Sequence, residues 1–243
     1  MLFRSITNQH DPDAGHVGGP AIIAEYKLVD IPELNYTSKD KDAQGNPTPR
    51  GEIWVRGPGV IPGYYKGDQQ NEETFTKDGW LKSGDVGMIF SDKSRMKIID
   101  RKKNIFKLSQ GEYIAPEKLE NSYRLAHLSI SAIYVYGDSF KSCLVGILNV
   151  ERPALEKFAN EFNIPRDEGR LEDNKELKKR YIELIDAIAK AKKFTSLEKL
   201  KDIYIETKTF QELGLLTEAM KIKRVDIRKY YQNVLDDMYK NLV

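Results

Sequence analysis

The stretch Ile98-Ile99-Asp100-Arg101-Lys102-Lys103-Asn104-Ile105-Phe106-Lys107-Leu108-Ser109-Gln110-Gly111-Glu112-Tyr113-Ile114-Ala115-Pro116-Glu117-Lys118-Leu119-Glu120 separates two halves of different pattern. Upstream, the sequence reads as mostly β. Glu52-Ile53-Trp54-Val55-Arg56 alternates between Gly51 and Gly57, as a half-buried strand should. Residues 21–23 and 26–29 are short apolar runs behind Gly18-Gly19-Pro20. Residues 86–90 and 96–100 read as a hairpin turned by Ser91-Asp92-Lys93-Ser94. Gly57-Pro58-Gly59 and Pro62-Gly63 punctuate turns, residues 71–75 read as a short helix, and the polar stretch 38–50 as an exposed loop.

Downstream, strand and helix patterns mix. Residues 104–108 read as a strand, and 116–127 as a helix with Pro116 in its first turn. Residues 131–136 and 143–150 are apolar, β-branched strands turned by Gly137-Asp138-Ser139. Residues 153–162 and 172–194 are amphipathic helices, 203–205 a strand and 225–239 a final helix. The expected class is α+β: a β-rich subdomain over 1–102, then a small mixed α/β domain over 103–243.

Composition narrows the function. A hydrophobic share of 40% suffices for a core, and 31% charged residues give a well-solvated surface. Thirty-nine basic against 37 acidic residues leave a net charge of +2, which argues against a bulk nucleic-acid binder. Cys143 is the single cysteine, so a disulfide framework and a cysteine zinc site are excluded. A lone thiol fits a reducing compartment, hence an intracellular expectation. His10, His16 and His127 are too scattered to suggest a metal centre. No run of about 18 apolar residues is present, so no membrane span is expected. Met1-Leu2-Phe3-Arg4-Ser5 does not open a signal peptide, and Asn241-Leu242-Val243 is neither a prenylation nor a peroxisomal tag. Any membrane association is expected through sequence upstream.

The densest chemistry lies in Asp78-Gly79-Trp80-Leu81-Lys82-Ser83-Gly84-Asp85-Val86-Gly87 together with the stretch quoted first. This pair resembles the late motifs of the adenylate-forming superfamily, and most nearly those of the long-chain fatty acyl-CoA synthetases. Gly51-Glu52-Ile53-Trp54-Val55-Arg56-Gly57-Pro58, followed by Gly63-Tyr64-Tyr65, is similar to an earlier motif of that family. Gly214-Leu215-Leu216-Thr217-Glu218-Ala219-Met220-Lys221-Ile222-Lys223-Arg224 is similar to its last one. Ala14-Gly15-His16-Val17-Gly18 and Lys27-Leu28-Val29-Asp30 also look like the long-chain branch. The pieces occur in the family's order and cover nearly the whole chain.

Taken alone, Asp85 is a turn aspartate, Arg101 a surface arginine, and Lys102, Lys103 and Lys107 a solvated basic face. The resemblance gives them roles. It makes Asp85 the carboxylate that accepts both ribose hydroxyls of a nucleotide, a task for a group that only accepts, and Arg101 a second ribose contact. It makes Lys103 the hinge between a large N-terminal body and a mobile C-terminal lid. Lys107 and Gly111 fall on the face presented to coenzyme A in the second half-reaction, although Leu108-Ser109-Gln110-Gly111 is one residue longer than in some branches. Lys221 matches the catalytic lysine of adenylation. Lys223 is its rival, and side chains at that spacing point apart. Glu218 and Ala219 depart from the proline and threonine frequent among long-chain relatives. Glu120, Trp80 and His16 read as structural.

The resemblance implies an ATP-dependent long-chain fatty acid–CoA ligase working through an acyl-adenylate, with ATP, coenzyme A and fatty acid as substrates and Mg²⁺ as cofactor. The family's phosphate-binding loop and its adenine- and magnesium-binding stretch are absent from this sequence. The chain is therefore expected to be the C-terminal part of the enzyme, inactive alone, with the N-terminal body as its partner and no metal ligand of its own. Two alternatives stay open: a medium-chain or aryl-acid ligase of the same superfamily, or a non-catalytic nucleotide-binding or interaction module if the natural chain is this short.

Overall fold

A computed structural model describes residues 5–6, 11, 13, 15–91, 95–165 and 169–242. His10, and Asp92, Lys93 and Ser94 of the expected hairpin turn, lie outside the described residues. The chain divides into two compact units, Met1–Ile105 and Phe106–Val243.

In the first unit, β1 (Ser5–Ile6) pairs antiparallel with β2 (Gly19–Pro20). The main sheet is an antiparallel meander of β3 (Glu25–Val29), β4 (Arg50–Arg56), β5 (Leu81–Ile89) and β6 (Met96–Arg101), with α1 (Asp68–Thr74) between β4 and β5. Ile53, Val86 and Met96 are fully buried between neighbouring strands. Gly51 sits where a β-carbon would meet the Val29 carbonyl oxygen at 2.5 Å, so close strand approach dictates glycine there. Residues 21–23, expected as an apolar strand, instead form a turn: the Ala24 N–H donates to the Ala21 carbonyl at 2.8 Å, and Ile22 is fully exposed. An apolar run this short, behind a proline without an N–H, closes a turn more readily than it joins a ladder.

The second unit opens with a two-stranded hairpin, β7 (Phe106–Lys107) and β8 (Tyr113–Ile114). The strand expected over 104–108 is shorter because Lys102–Asn104 is a 3₁₀ turn and the Leu108 N–H is drawn to the Glu112 carbonyl at the hairpin end. Then come α2 (Pro116–Ala126), β9 (Ala132–Tyr136), β10 (Leu144–Asn149), α3 (Arg152–Glu161), α4 (Lys175–Ala191), β11 (Leu200–Glu206), α5 (Arg224–Tyr230) and α6 (Gln232–Lys240). In the sheet, β10 lies between antiparallel β9 and parallel β11. Both faces are covered, which explains why β9 and β10 are apolar along nearly their whole length, while β11 carries Lys201 and Asp202. Ile133, Val135, Leu144 and Leu148 face a core with α2, α3 and α4. Tyr134, Tyr136, Val145 and Ile147 face the other core, with α5 and α6.

Two helices differ from expectation. The helix read over 172–194 starts at Lys175, because Asn174 caps it, its side chain accepting from the Glu176 and Leu177 N–H groups at 2.9 and 3.0 Å. The helix read over 225–239 is broken at Tyr231 (φ −99°, ψ 13°). Tyr231 is buried, and its hydroxyl donates to Glu206 Oε2 at 2.9 Å, so the break lets this ring reach the sheet.

Candidate functional site

Asp85 and Arg101 are brought together by the ladder of the first unit: they are directly opposed on β5 and β6. Arg101 Nε lies 2.7 Å from Asp85 Oδ1. Asp85 is not in a turn but inside a strand. Between Glu52 and Trp54 the β4–β5 register slips, so that Ser83, Gly84 and Asp85 lie opposite Ile53. Gly84, at φ +71°, supplies the left-handed residue that such a bulge needs. The bulge is held from two sides: the Asp85 N–H donates to Ser83 Oγ at 3.0 Å, and the Gly84 N–H donates to Glu52 Oε1 at 3.3 Å. The result is a carboxylate and a guanidinium side by side, acceptors next to donors. Such an edge suits a vicinal diol.

Glu52 is buried, and its other oxygen lies 3.7 Å from Lys102 Nζ, which also pairs with Glu33 at 3.2 Å. Lys102 is thus part of an ion-pair network and not of a solvated basic face. Nothing local in the sequence marks this, because Glu33 and Glu52 come from distant segments. Lys103, exposed, follows within the 3₁₀ turn, and the division between the two units falls just beyond it, after Ile105.

Lys107 and Gly111 share the β7–β8 hairpin. Lys107 is exposed, with Nζ 5.3 Å from the centre of the Tyr113 ring. Gly111 has φ +92°, and a β-carbon there would meet only Lys107 Cε, at 3.6 Å. The backbone conformation, not crowding, calls for glycine. The loop rests on the unit behind it, with the Ser109 N–H donating to the Lys141 carbonyl at 3.0 Å and Gln110 Nε2 to the Ser142 carbonyl at 2.6 Å.

Lys221 lies on a narrow strap, residues 215–223, in which Leu216 bridges Ile222. The Thr217 N–H donates to the Lys221 carbonyl at 2.8 Å, and the Lys221 N–H donates back to Thr217 Oγ1 at 3.2 Å. Met220 takes φ +58° at the tip. Lys221 is exposed, and among the described residues no hydrogen bond or ion pair holds its ammonium group. Lys223 differs: Nζ donates to the Gly214 carbonyl at 3.0 Å, and its N–H to the Leu215 carbonyl at 2.9 Å. The strap borders a groove of about 480 Å³ whose opposite wall is α2. Glu120 on α2 is buried; it accepts the Val135 N–H at 2.9 Å and pairs with Arg224 Nη2 at 2.6 Å. Arg224 in turn lies 5.9 Å from the Tyr134 ring centre, and burial pushes that phenol up to about 12.

Trp80 is buried core, with Lys27 Nζ 4.3 Å from its ring centre, and His16 Nδ1 accepts the Gly18 N–H at 3.0 Å. Among the described residues no group of three or more His, Cys, Asp or Glu side chains could hold a metal ion, and no helix is long and apolar enough to cross a membrane.

No family model matches the chain. Among curated proteins it is 42% identical over 237 residues to the peroxisomal long chain acyl-CoA synthetase 6 of Arabidopsis thaliana, covering 97% of this chain and 33% of that protein. It is 41% identical over 241 residues to fatty acyl-CoA synthetase A of Dictyostelium discoideum (97% and 35%). It is 40% identical over 236 residues to long-chain-fatty-acid–CoA ligase 6 of Homo sapiens (97% and 32%). The chain thus spans about one third of the length of the curated relatives it matches. Among solved structures, the A domain of a carboxylic acid reductase from Segniliparus rugosus, in complex with AMP and a co-purified carboxylic acid, matches at 33% identity with a TM-score of 0.77, over 91% of this chain and 32% of that one. The adenylation domain of the carboxylate reductase from Mycobacterium chelonae matches at 33% identity with a TM-score of 0.75, over 90% and 31%. By sequence the chain is similar to the C-terminal third of long-chain acyl-CoA synthetases, and by fold to the adenylation domains of carboxylic acid reductases.

Proposed function

We propose that this chain is the C-terminal part of an ATP-dependent long-chain fatty acid–CoA ligase, and that its residues serve both half-reactions. In the first, a fatty carboxylate oxygen attacks the α-phosphorus of ATP, the bond to pyrophosphate breaks, and an acyl-adenylate forms. Lys221 is the cation at that centre. A unit charge about 3–4 Å from the developing negative charge, in a water-poor site, contributes several kcal/mol to the transition state. Asp85 accepts the ribose hydroxyls and Arg101 donates beside it. In the second half-reaction the lid turns about Lys103, Lys221 withdraws, and the face bearing Lys107 and Gly111 meets coenzyme A. The thiol sulfur attacks the acyl carbonyl carbon, and AMP leaves with the electrons of the acyl–phosphate bond.

The observation that carries this reading is the contrast within the strap. Lys223 is tied to the Gly214 carbonyl, whereas Lys221, on the same short segment, has no such tie among the described residues. A lysine on a braced loop with an untethered head suits a group that must enter a site and leave it. The metal that ATP requires is assigned to the N-terminal body, as is most of the fatty-acid channel. The single cysteine supports an intracellular enzyme, and any membrane association is assigned to the N-terminal part.

Fatty-acid-dependent exchange between ATP and pyrophosphate, measured with the N-terminal part restored, tests the reading. The parent should exchange, and Lys221→Ala should lose about 10²- to 10³-fold. Undiminished exchange in the variant would move the role away from Lys221. Absence of exchange with every carboxylate tried would sink the ligase reading.

A further inference from the structure

We infer that Glu120 and Arg224 are positioning residues for Lys221, setting the placement of the strap during adenylation and nothing in the thioester step. The inference rests on the reading of Lys221 given above. The strap's own hydrogen bonds fix its shape but not its place against the rest of the unit. Its beginning is held by the Phe210 carbonyl, which accepts the Leu215 N–H at 2.8 Å. Its end leads directly into Arg224, the first residue of α5. There the guanidinium is held by Glu120 Oε2 at 2.6 Å, and Glu120 Oε1 accepts the Val135 N–H at 2.9 Å. One buried carboxylate therefore joins α2, the middle of β9 and the exit of the strap.

Stability alone does not explain such a group. Taking a carboxylate and a guanidinium out of water costs about as much as their attraction returns, so a buried pair is weak evidence for stabilisation. What the pair does supply is direction. A guanidinium in a short charge-assisted bond to a carboxylate whose other oxygen is fixed by a backbone N–H has a set direction. Arg224 lies three residues beyond Lys221, so an error at Arg224 is carried straight to the lysine head. Lys107 and Gly111 lie on a separate hairpin with its own braces, the carbonyls of Lys141 and Ser142, and are not held by this pair.

The test separates the half-reactions in the full-length enzyme. Glu120→Gln keeps an oxygen for the Val135 N–H but loses the charge that orients Arg224. Its exchange turnover should fall roughly 10- to 100-fold, the range for misplacing a catalytic group by about 1 Å, with the KM values for ATP and fatty acid nearly unchanged. Thioester formation from preformed oleoyl-adenylate and coenzyme A should keep the parent rate. Arg224→Lys, which retains charge but not the planar guanidinium, should show the same split, and it carries the test if Glu120→Gln folds poorly. The double variant should be no slower than the slower single one, because both disable a single device. Equal losses in both half-reactions, or losses that multiply, would overturn the inference and leave a merely structural pair. A parent that exchanges while both variants match it would overturn this inference alone. A parent that never exchanges would overturn the function reading together with it.

Discussion

Asn149 offers the sharpest test of what holds the second unit together. It is the last residue of β10, 2% exposed, and its side chain makes three hydrogen bonds to backbone. Nδ2 donates to the Glu206 carbonyl at 3.0 Å and to the Lys208 carbonyl at 2.8 Å, while Oδ1 accepts the Phe210 N–H at 3.2 Å. One amide thus fixes the turn by which the chain leaves β11 and heads toward the strap that carries Lys221. Asn149→Ala removes all three bonds. At a net worth of about 1 kcal/mol each, the loss is about 3 kcal/mol. With a urea slope of about 2 kcal/mol per molar, the midpoint falls by about 1.5 M. Far-UV circular dichroism is the probe, since α2 to α6 all lie in the second unit. Asn149→Asp refines the argument. It keeps an acceptor for Phe210 but turns a carboxylate oxygen toward two carbonyls. It should therefore be worse than alanine at neutral pH and recover on acidification, when the protonated acid regains one donor. A midpoint shift below about 0.5 M for the alanine variant would refute the claim that these bonds hold the turn.

Other consequences follow from single contacts. Asn174→Ala strips the cap from α4 and should cost about 1 kcal/mol, read as a melting temperature lower by a few degrees. Glu172 is buried against Arg170 and Arg152. Burial alone would raise its carboxyl, but its backbone hydrogen bond and the two guanidinium groups outweigh that and hold it below the usual range. A depressed folded-state value means that the contribution is complete above about pH 4.3, the ordinary glutamate value, and is lost as pH falls through the folded value. The melting temperature should therefore drop on the acid side of that point, and less steeply in Glu172→Gln. Gly111→Ala forces a side chain into φ +92° at a cost of about 1 kcal/mol. In the full-length enzyme it should slow the coenzyme A step in a single-turnover assay and spare ATP–pyrophosphate exchange.

The elements legible in the sequence were those set by period and punctuation. The strands around Ile53, Val135 and Ile147, and the helix begun by Pro116, follow from apolar runs bounded by glycine or proline. What escaped was set by partners far along the chain. The break at Tyr231 depends on Glu206, and neither the apolar spacing of α5 nor that of α6 announces it. Asn174 was legible in principle as a capping asparagine ahead of an amphipathic run, but the charged residues before it matched the helix pattern too. Asp85 was recognisable as a residue type after Ser-Gly, yet its position inside a strand follows from a register slip against β4 that no single strand can show. The ordered motifs pointed to the family because they sample several separate turns of one fold.

Among the described residues, four buried glutamates bear on how the segments that carry the candidate residues are held. Glu52 takes the Gly84 N–H beside Asp85 and faces Lys102. Glu120 takes the Val135 N–H and holds Arg224 beyond Lys221. Glu206 takes the Lys208 N–H and the Tyr231 hydroxyl. Glu172 holds two arginines at the entrance to α4. In three of these, one oxygen accepts a backbone N–H, while the other accepts a side-chain hydrogen bond from another element (Glu120, Glu206) or faces a lysine at ion-pair distance (Glu52). Burying a charge is costly unless such partners are present, so each glutamate obliges two segments to keep a fixed relation. A loop held in this way can carry an exposed charge without wandering, as the strap beside Glu120 and Arg224 carries Lys221.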